Sequence, residues 1–401
     1  MTAVDLPDVP RILIAEADPW VRDMLTELVL SVRCDANLKV CGDGREAAQW
    51  LGANKPDLVI AAWELPGIDG LSLLRGVRQL RSKPAVPFIL LSNRNDSASV
   101  REALPLAPTA YLTKPLNMDS LRQRLEGLLP GDAVVCEVPA MAPGLTLDKF
   151  LEQRRDVADG APLYVDVEEA IKYSRNAAGV DVRLLEHELR SDPQLTAVLI
   201  AAANSAAQHL GKPAQTLAQA IQTLGATQSA NLILGLAMKR GATLSDDALI
   251  AQANQFWDLS QRTAEFARTL ARLLELDQER CYCAGLLHCL GDLSVVRCLQ
   301  DWVLAGGELD DEVIRHSVEQ YSAAFGSALR TRWRLPLELR ELIAGVYQFS
   351  SGVYTREALA MNIAAQLARL GPEDGVEELA KSKPARLLRI GSSELERLRN
   401  R

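Results

Sequence analysis

Histidine is scarce in this sequence, four among 401 residues: His187, His209, His288 and His316. A site that depends on a cluster of imidazole ligands therefore has little to be built from. Long apolar runs are missing too; none approaches the ~18 residues that cross a bilayer. The opening stretch "MTAVDLPDVPRILIAE" has no basic region followed by an apolar one, so no secretory signal is expected. These absences predict a cytoplasmic protein without a membrane partner. There is no phosphate-cradling P-loop, no dinucleotide glycine fingerprint, and no signature of a cyclic-dinucleotide synthase or phosphodiesterase. The seven cysteines are Cys34, Cys41, Cys136, Cys281, Cys283, Cys289 and Cys298. They are odd in number and lack a disulfide-framework spacing, which suits a reducing compartment. Excess positive charge is absent as well. The net charge of −8 argues against a broad nucleic-acid-binding surface.

What the chain does contain is ordinary for a globular protein: 48% hydrophobic and 24% charged residues. Its length allows two or three domains with sizeable cores. Charge is uneven, −1 over residues 1–130 and −7 over the rest, yet the last 21 residues hold seven basic and two acidic side chains.

Residues 11–130 alternate short apolar runs with amphipathic stretches. "RILIA", "LKVCG", "DLVIAA", "PFILLS" and "AYLT" read as strands, each followed by a helical segment. The first helix opens on Asp18-Pro19, a cap and first-turn pair. Five β-α units in so short a span predict an α/β doubly wound, five-stranded parallel sheet covered on both faces by helices. Strands buried on both sides explain why the runs are continuous and not alternating. Residues 131–147 hold prolines and glycines with little periodicity and read as a linker. From 148 to 401 helical periodicity dominates, which predicts an all-α domain ending in a basic helix. Long helices are expected within 246–275, 278–305, 309–334, 336–348, 355–370 and 384–399.

Ligands of such a sheet gather at the carboxyl ends of the strands. Those ends are Glu16-Ala17-Asp18, Ala61-Ala62-Trp63, Ser92 and Lys114-Pro115. With "PDLVIAAWELPGIDGLSLL", "FILLS" and "AYLTKP" in order and spacing, the region resembles the receiver domain of bacterial response regulators over about 120 residues. Carried over by residue, the resemblance puts the family's acid pair on Glu16 and Ala17 and its acceptor aspartate on Ala62. Ser92, Lys114 and the aromatic Tyr111 match the family pattern. Phosphoryl transfer to a carboxylate needs a nucleophilic oxygen and oxygen ligands for Mg²⁺, and a methyl group supplies neither. Asp57 lies at the wrong end of the strand, about 17 Å away at ~3.3 Å per residue. Glu64 would enter from a loop with a longer arm. Asp18 and Asp69 read as helix caps, and Lys114 as solvated or paired with Glu16. The expectation is a pseudo-receiver, with Tyr111 marking a candidate interaction surface.

The second region carries "FWDLSQRTAEFARTLARLLELDQERCYCAGLLHCLGDLSVV" at 256–296, with "LRSDPQLTAVLIAAANSA" and "EQYSAAFGSALRTRWRLPLELRELIAGVYQ" on either side. It resembles the HDOD family, helical relatives of HD metal phosphohydrolases. In those enzymes an adjacent His-Asp pair helps to hold metal. Here that pair reads His288-Cys289, Leu259 stands where an earlier histidine could lie, and Asp292 is the nearest downstream acid. Cys281, His288 and Cys289 share one helical face by spacing. A buried small-residue stripe is the plainer account of them than a thiolate-imidazole metal site.

The expected function is a non-enzymatic bacterial signal-transduction regulator. It would have no cofactor and no metal, and would bind other signalling proteins, with a homodimer among the possible states. Two alternatives stand beside it: a divergent metal-dependent HD phosphohydrolase using His288, and a nucleic-acid-associated regulator acting through the basic tail.

Overall fold

The computed structural model describes residues 9–79, 84–129, 144–157, 160–164, 182–205, 212–237, 239, 242–347, 354–371 and 373–400. They group into two compact units: the N-terminal α/β region together with Thr227–Lys239, and the remaining described residues. The predicted linker 131–147 falls largely outside the described residues.

In the first unit the five apolar runs form β1 (Arg11–Ala15), β2 (Asn37–Cys41), β3 (Leu58–Ala62), β4 (Phe88–Ser92) and β5 (Ala110–Thr113). They make a parallel sheet in the order β2-β1-β3-β4-β5, as doubly wound topology requires. Every residue of β3 and β4 is buried. The intervening helices are α1 (Pro19–Val32), α2 (Gly44–Ala53), α3 (Gly70–Gln79), α4 (Ser97–Ala103) and α5 (Met118–Leu128). Asp18, Asp43, Asp96 and Asn117 cap four of them through backbone N–H groups of the first turn. Gly70 starts α3 hard against β3, where a Cβ would lie 2.2 Å from the Ala62 carbonyl oxygen. That close approach fixes the loop after β3.

The same unit takes in residues from a helix far along the chain, Ala226–Ala237. Asn231 donates its side-chain amide to the Leu116 carbonyl at 2.7 Å, and Gly235 leaves room for Met24 of α1. The two compact units are thus not the two sides of a single cut in the sequence.

In the second unit the long periodic segments give α6 (Leu147–Arg155), α7 (Val182–Leu189), α8 (Pro193–Ala203), α9 (Leu217–Leu224), α11 (Asp247–Leu273), α12 (Gln278–Leu287), α13 (Leu290–Leu304), α14 (Asp311–Arg332), α15 (Leu337–Gly345) and α16 (Arg356–Arg369); the intervening Ala226–Ala237 helix is α10. Three short helices follow, α17 (Glu377–Lys381), α18 (Lys383–Leu388) and α19 (Ser392–Arg399). Two expected helices are each divided. The stretch 278–305 breaks at His288-Cys289, and 384–399 breaks where Arg389 adopts a left-handed φ of 58°. By length and composition, 278–304 is apolar enough to cross a membrane, but 94% of its window is buried inside the fold. It is a core segment of two successive helices, interrupted at His288-Cys289.

Among the described cysteines, one is bonded. Cys41, Cys281, Cys283, Cys289 and Cys298 are free and buried, whereas Cys34, just beyond α1, is disulfide-bonded.

Candidate functional site

The parallel register brings Glu16, Ala17, Ala62, Ser92 and Lys114 together at the carboxyl edge of the sheet. Ala62 has no solvent exposure.

The polar groups around it are engaged with one another. Glu16 is 2% exposed. Its Oε2 accepts from Lys114 Nζ at 2.7 Å and its Oε1 from the Asp18 N–H at 3.0 Å. Asp18 itself caps α1 through Trp20 N–H at 2.9 Å. Glu64 reaches back from its loop, so that Oε1 accepts the Ser92 hydroxyl at 2.9 Å and Oε2 the Asn93 N–H at 3.3 Å. Arg94 Nε stands 3.7 Å from the same carboxylate. Asp57 accepts from the Arg11 N–H at the opposite end of the sheet, and Asp69 caps α3 through the Ser72 N–H.

A divalent cation here would draw on Glu16 alone among the positions matched to the acid pair and the acceptor, because Ala17 and Ala62 offer only methyl groups. Both Glu16 carboxylate oxygens already have donors. The residues present do not fit the ion.

Beside this edge lies an aromatic cluster. Tyr111 packs edge-on to Trp63 at 6.2 Å and donates its hydroxyl to the Arg94 carbonyl at 2.8 Å. The Arg94 guanidinium stacks over the Trp63 ring at 5.0 Å. Trp63 is therefore the base of a small platform, and Tyr111 is tied down by both its ring and its hydroxyl.

The second candidate lies at the helix break between α12 and α13. His288 is buried, with Nδ1 2.6 Å from the Gly285 carbonyl oxygen and Nε2 3.2 Å from Cys289 Sγ. A carbonyl only accepts, so the ring proton resides on Nδ1 and Nε2 accepts from the thiol. Burial lowers the His288 pKa to about 4 and pushes the Cys289 thiol well above its usual range. A neutral imidazole facing a protonated thiol is the result, with no nitrogen left for a metal. Burial also raises Cys281 and Cys283 to about 12. Among the described residues no three His, Cys, Asp or Glu side chains are placed to hold a metal ion. The donor set does not fit a binuclear centre.

Next to this pair is a cavity of about 960 Å³ lined by residues of α12–α16 and their ends, including His288, Asp292, Arg330, Tyr347 and Arg280. Tyr347 donates its hydroxyl to the His288 carbonyl at 2.7 Å. Burial pushes the Asp292 carboxyl up to about 6, opposed by a hydrogen bond with Ser322. Sequence reading reached Asp292 but not Arg330 or Tyr347, which lie some forty and sixty residues from His288 and carry no local motif.

The basic tail is folded. Leu395 and Leu398 of α19 are buried, and the Arg399 guanidinium hydrogen-bonds the Asp374 and Gly371 carbonyls.

Comparison with known proteins finds two family matches, a response regulator receiver domain over residues 12–126 and an HDOD domain over 161–349. The cyclic di-GMP phosphodiesterase response regulator RpfG of Xanthomonas campestris is 30% identical over 119 residues, 30% of this chain and 32% of that protein. The phosphate regulon regulator PhoB of Pseudomonas aeruginosa is 32% identical over 112 residues, covering 27% of this chain and 47% of that protein. The chain thus spans about a third of one of these curated relatives and just under half of the other. Among solved structures, the Francisella response regulator 1452 receiver domain matches at 28% identity with TM-score 0.26, covering 30% of this chain and 95% of that one. The MmoQ response regulator of Methylococcus capsulatus matches at 20% identity with TM-score 0.44, over 61% of this chain and 99% of that one.

Proposed function

From a receiver domain over residues 12–126 followed by an HDOD domain over 161–349, we propose a signal-transduction regulator that works by binding other signalling proteins, without phosphorylation and without catalysis. The observation that carries the reading is the buried methyl group of Ala62 at the carboxyl end of β3, flanked by the Glu16–Lys114 and Glu64–Ser92 pairs. Phosphoryl transfer to this edge would need an acceptor oxygen and a cation site; the methyl groups of Ala17 and Ala62 and the engaged Glu16 carboxylate support a reading without it. In the helical region, the His288 nitrogens taken by Gly285 and Cys289 support a binding module over the metal phosphohydrolase alternative. The packed α19 weighs against a nucleic-acid-binding tail, because its arginine and leucines are used internally.

The full chain, incubated with a small-molecule phosphodonor and Mg²⁺, is expected to take up no acid-labile phosphate. Beryllofluoride with Mg²⁺ is expected to leave its spectra unchanged. A stable acyl phosphate on Glu64 or a neighbouring carboxylate would overturn the reading.

A further inference from the structure

The cavity beside His288 is lined by Arg280 and Arg330 together with the carboxylates of Asp292, Glu319, Glu338, Glu341 and Glu357. The Arg330 guanidinium, on α14, makes no hydrogen bond or ion pair among the described residues, although it lines the cavity and burial lowers its pKa. Its guanidinium lies over Gly326, where a Cβ would come within 2.9 Å of a terminal nitrogen. Arg280 lines the same space; its Nε is buried without a hydrogen-bond partner, while a terminal nitrogen is held by Glu357 at 3.5 Å. Asp292 acts on Arg330 through space and Glu357 meets one end of Arg280, yet the Arg330 guanidinium and Arg280 Nε have no acceptor within hydrogen-bond distance among the described residues. A buried donor left without an acceptor is costly, and a planar carboxylate fits such a fork. The outer wall has the opposite sign. Glu319, Glu338 and Glu341 line the cavity, are exposed, and form no ion pair among the described residues.

We propose that this cavity binds a small amine-carboxylate, of the class of basic amino acids or short basic peptides, with its carboxylate on Arg330 and its cationic group toward Glu319, Glu338 and Glu341. The volume of about 960 Å³ is at the upper end of small-molecule sites. A multiply charged phosphate would meet the acidic wall, whereas a molecule of mixed charge matches both ends. Gly291 and Gly326 bring α13 and α14 so close that Arg330 is presented across bare backbone. The assignment rests on the helical region being a binding module and not a hydrolase.

The test is calorimetric titration and thermal shift of the full chain with L-arginine, L-lysine and tri-lysine, set against agmatine, succinate and pyrophosphate. Binding of at least one amine-carboxylate is expected, at least tenfold tighter than agmatine, which lacks the carboxylate, or succinate, which lacks the cation. Arg330→Gln is expected to weaken it at least tenfold. If that variant does not fold, Gly326→Ala, which displaces the guanidinium and keeps the charge, is expected to do the same. Binding by none of the three, a preference for pyrophosphate, or equal binding by a folded Arg330 variant overturns the assignment. Hydrolysis of a phosphodiester by the same preparation would instead overturn the non-enzymatic reading.

Discussion

The Glu64 carboxylate accepts the Ser92 hydroxyl at 2.9 Å, joining the loop after β3 to the end of β4 across 28 positions of sequence. It also accepts the Asn93 N–H and sits near Arg94, so one side chain holds three consecutive residues of the neighbouring strand end.

Replacing Glu64 by Ala removes these acceptors, leaving the buried Ser92 hydroxyl with no group to donate to while it still accepts the Arg94 N–H. A loss of about 1 kcal/mol in denaturant-unfolding stability is expected, and Glu64→Gln should recover part of it. Unchanged stability in Glu64→Ala would show the contact to be idle.

Lys114→Met would strand the Glu16 carboxylate, which is 2% exposed. Breaking one side of a buried pair costs about 3 kcal/mol. The double variant with Glu16→Gln should be more stable than Lys114→Met alone, measured by the same unfolding curves.

Two glycines separate packing from propensity. A Cβ on Gly291 would lie 2.2 Å from the Ser322 carbonyl oxygen, whereas one on Gly76 of α3 meets nothing within 4 Å. Gly291→Ala is expected to cost about 3 kcal/mol or more. Gly76→Ala should stabilise by roughly 0.5–1 kcal/mol. Thermal melts of the two variants should move in opposite directions.

His288 and Asp292 impose opposing dependences on pH. Burial lowers His288 from 6.5 to about 4, so its contribution is complete above 6.5 and is lost as pH falls toward 4. Burial raises Asp292 from 3.8 to about 6, so its contribution is complete below 3.8 and is lost as pH rises through 6. Between these limits the two slopes offset. Relative to the parent chain, Asp292→Asn should lose stability faster on acidification and His288→Gln more slowly, each by about 1–2 kcal/mol across the window. Parallel pH profiles for parent and variants would contradict this.

The strands were legible because burial on both faces writes them as unbroken apolar runs, and the strand-end residues because topology places them there. Ala62 could be read from the chain alone for that reason. Glu64 meeting Ser92 could not, since the sequence does not say how a loop side chain folds back over a sheet edge. The interruption at His288-Cys289 was equally hidden; periodicity runs through it, and only three-dimensional packing divides α12 from α13. Cysteine spacing, informative for repeated frameworks, is silent about a single bond such as that of Cys34. Arg330 was invisible because its role comes from helices brought together at a distance.

The membership of Thr227–Lys239 in the α/β unit bears on how the protein can be taken apart. A fragment ending near residue 130 omits Asn231 and Gly235, leaving the Leu116 carbonyl and the Met24 side chain without the neighbours they have in the intact chain. The complementary fragment would carry an apolar helix, with Leu232, Ile233 and Leu236 all buried in the native fold, deprived of its seat. A cut between the two would therefore bare Leu232, Ile233 and Leu236 on one piece and the surface around Leu116 and Met24 on the other.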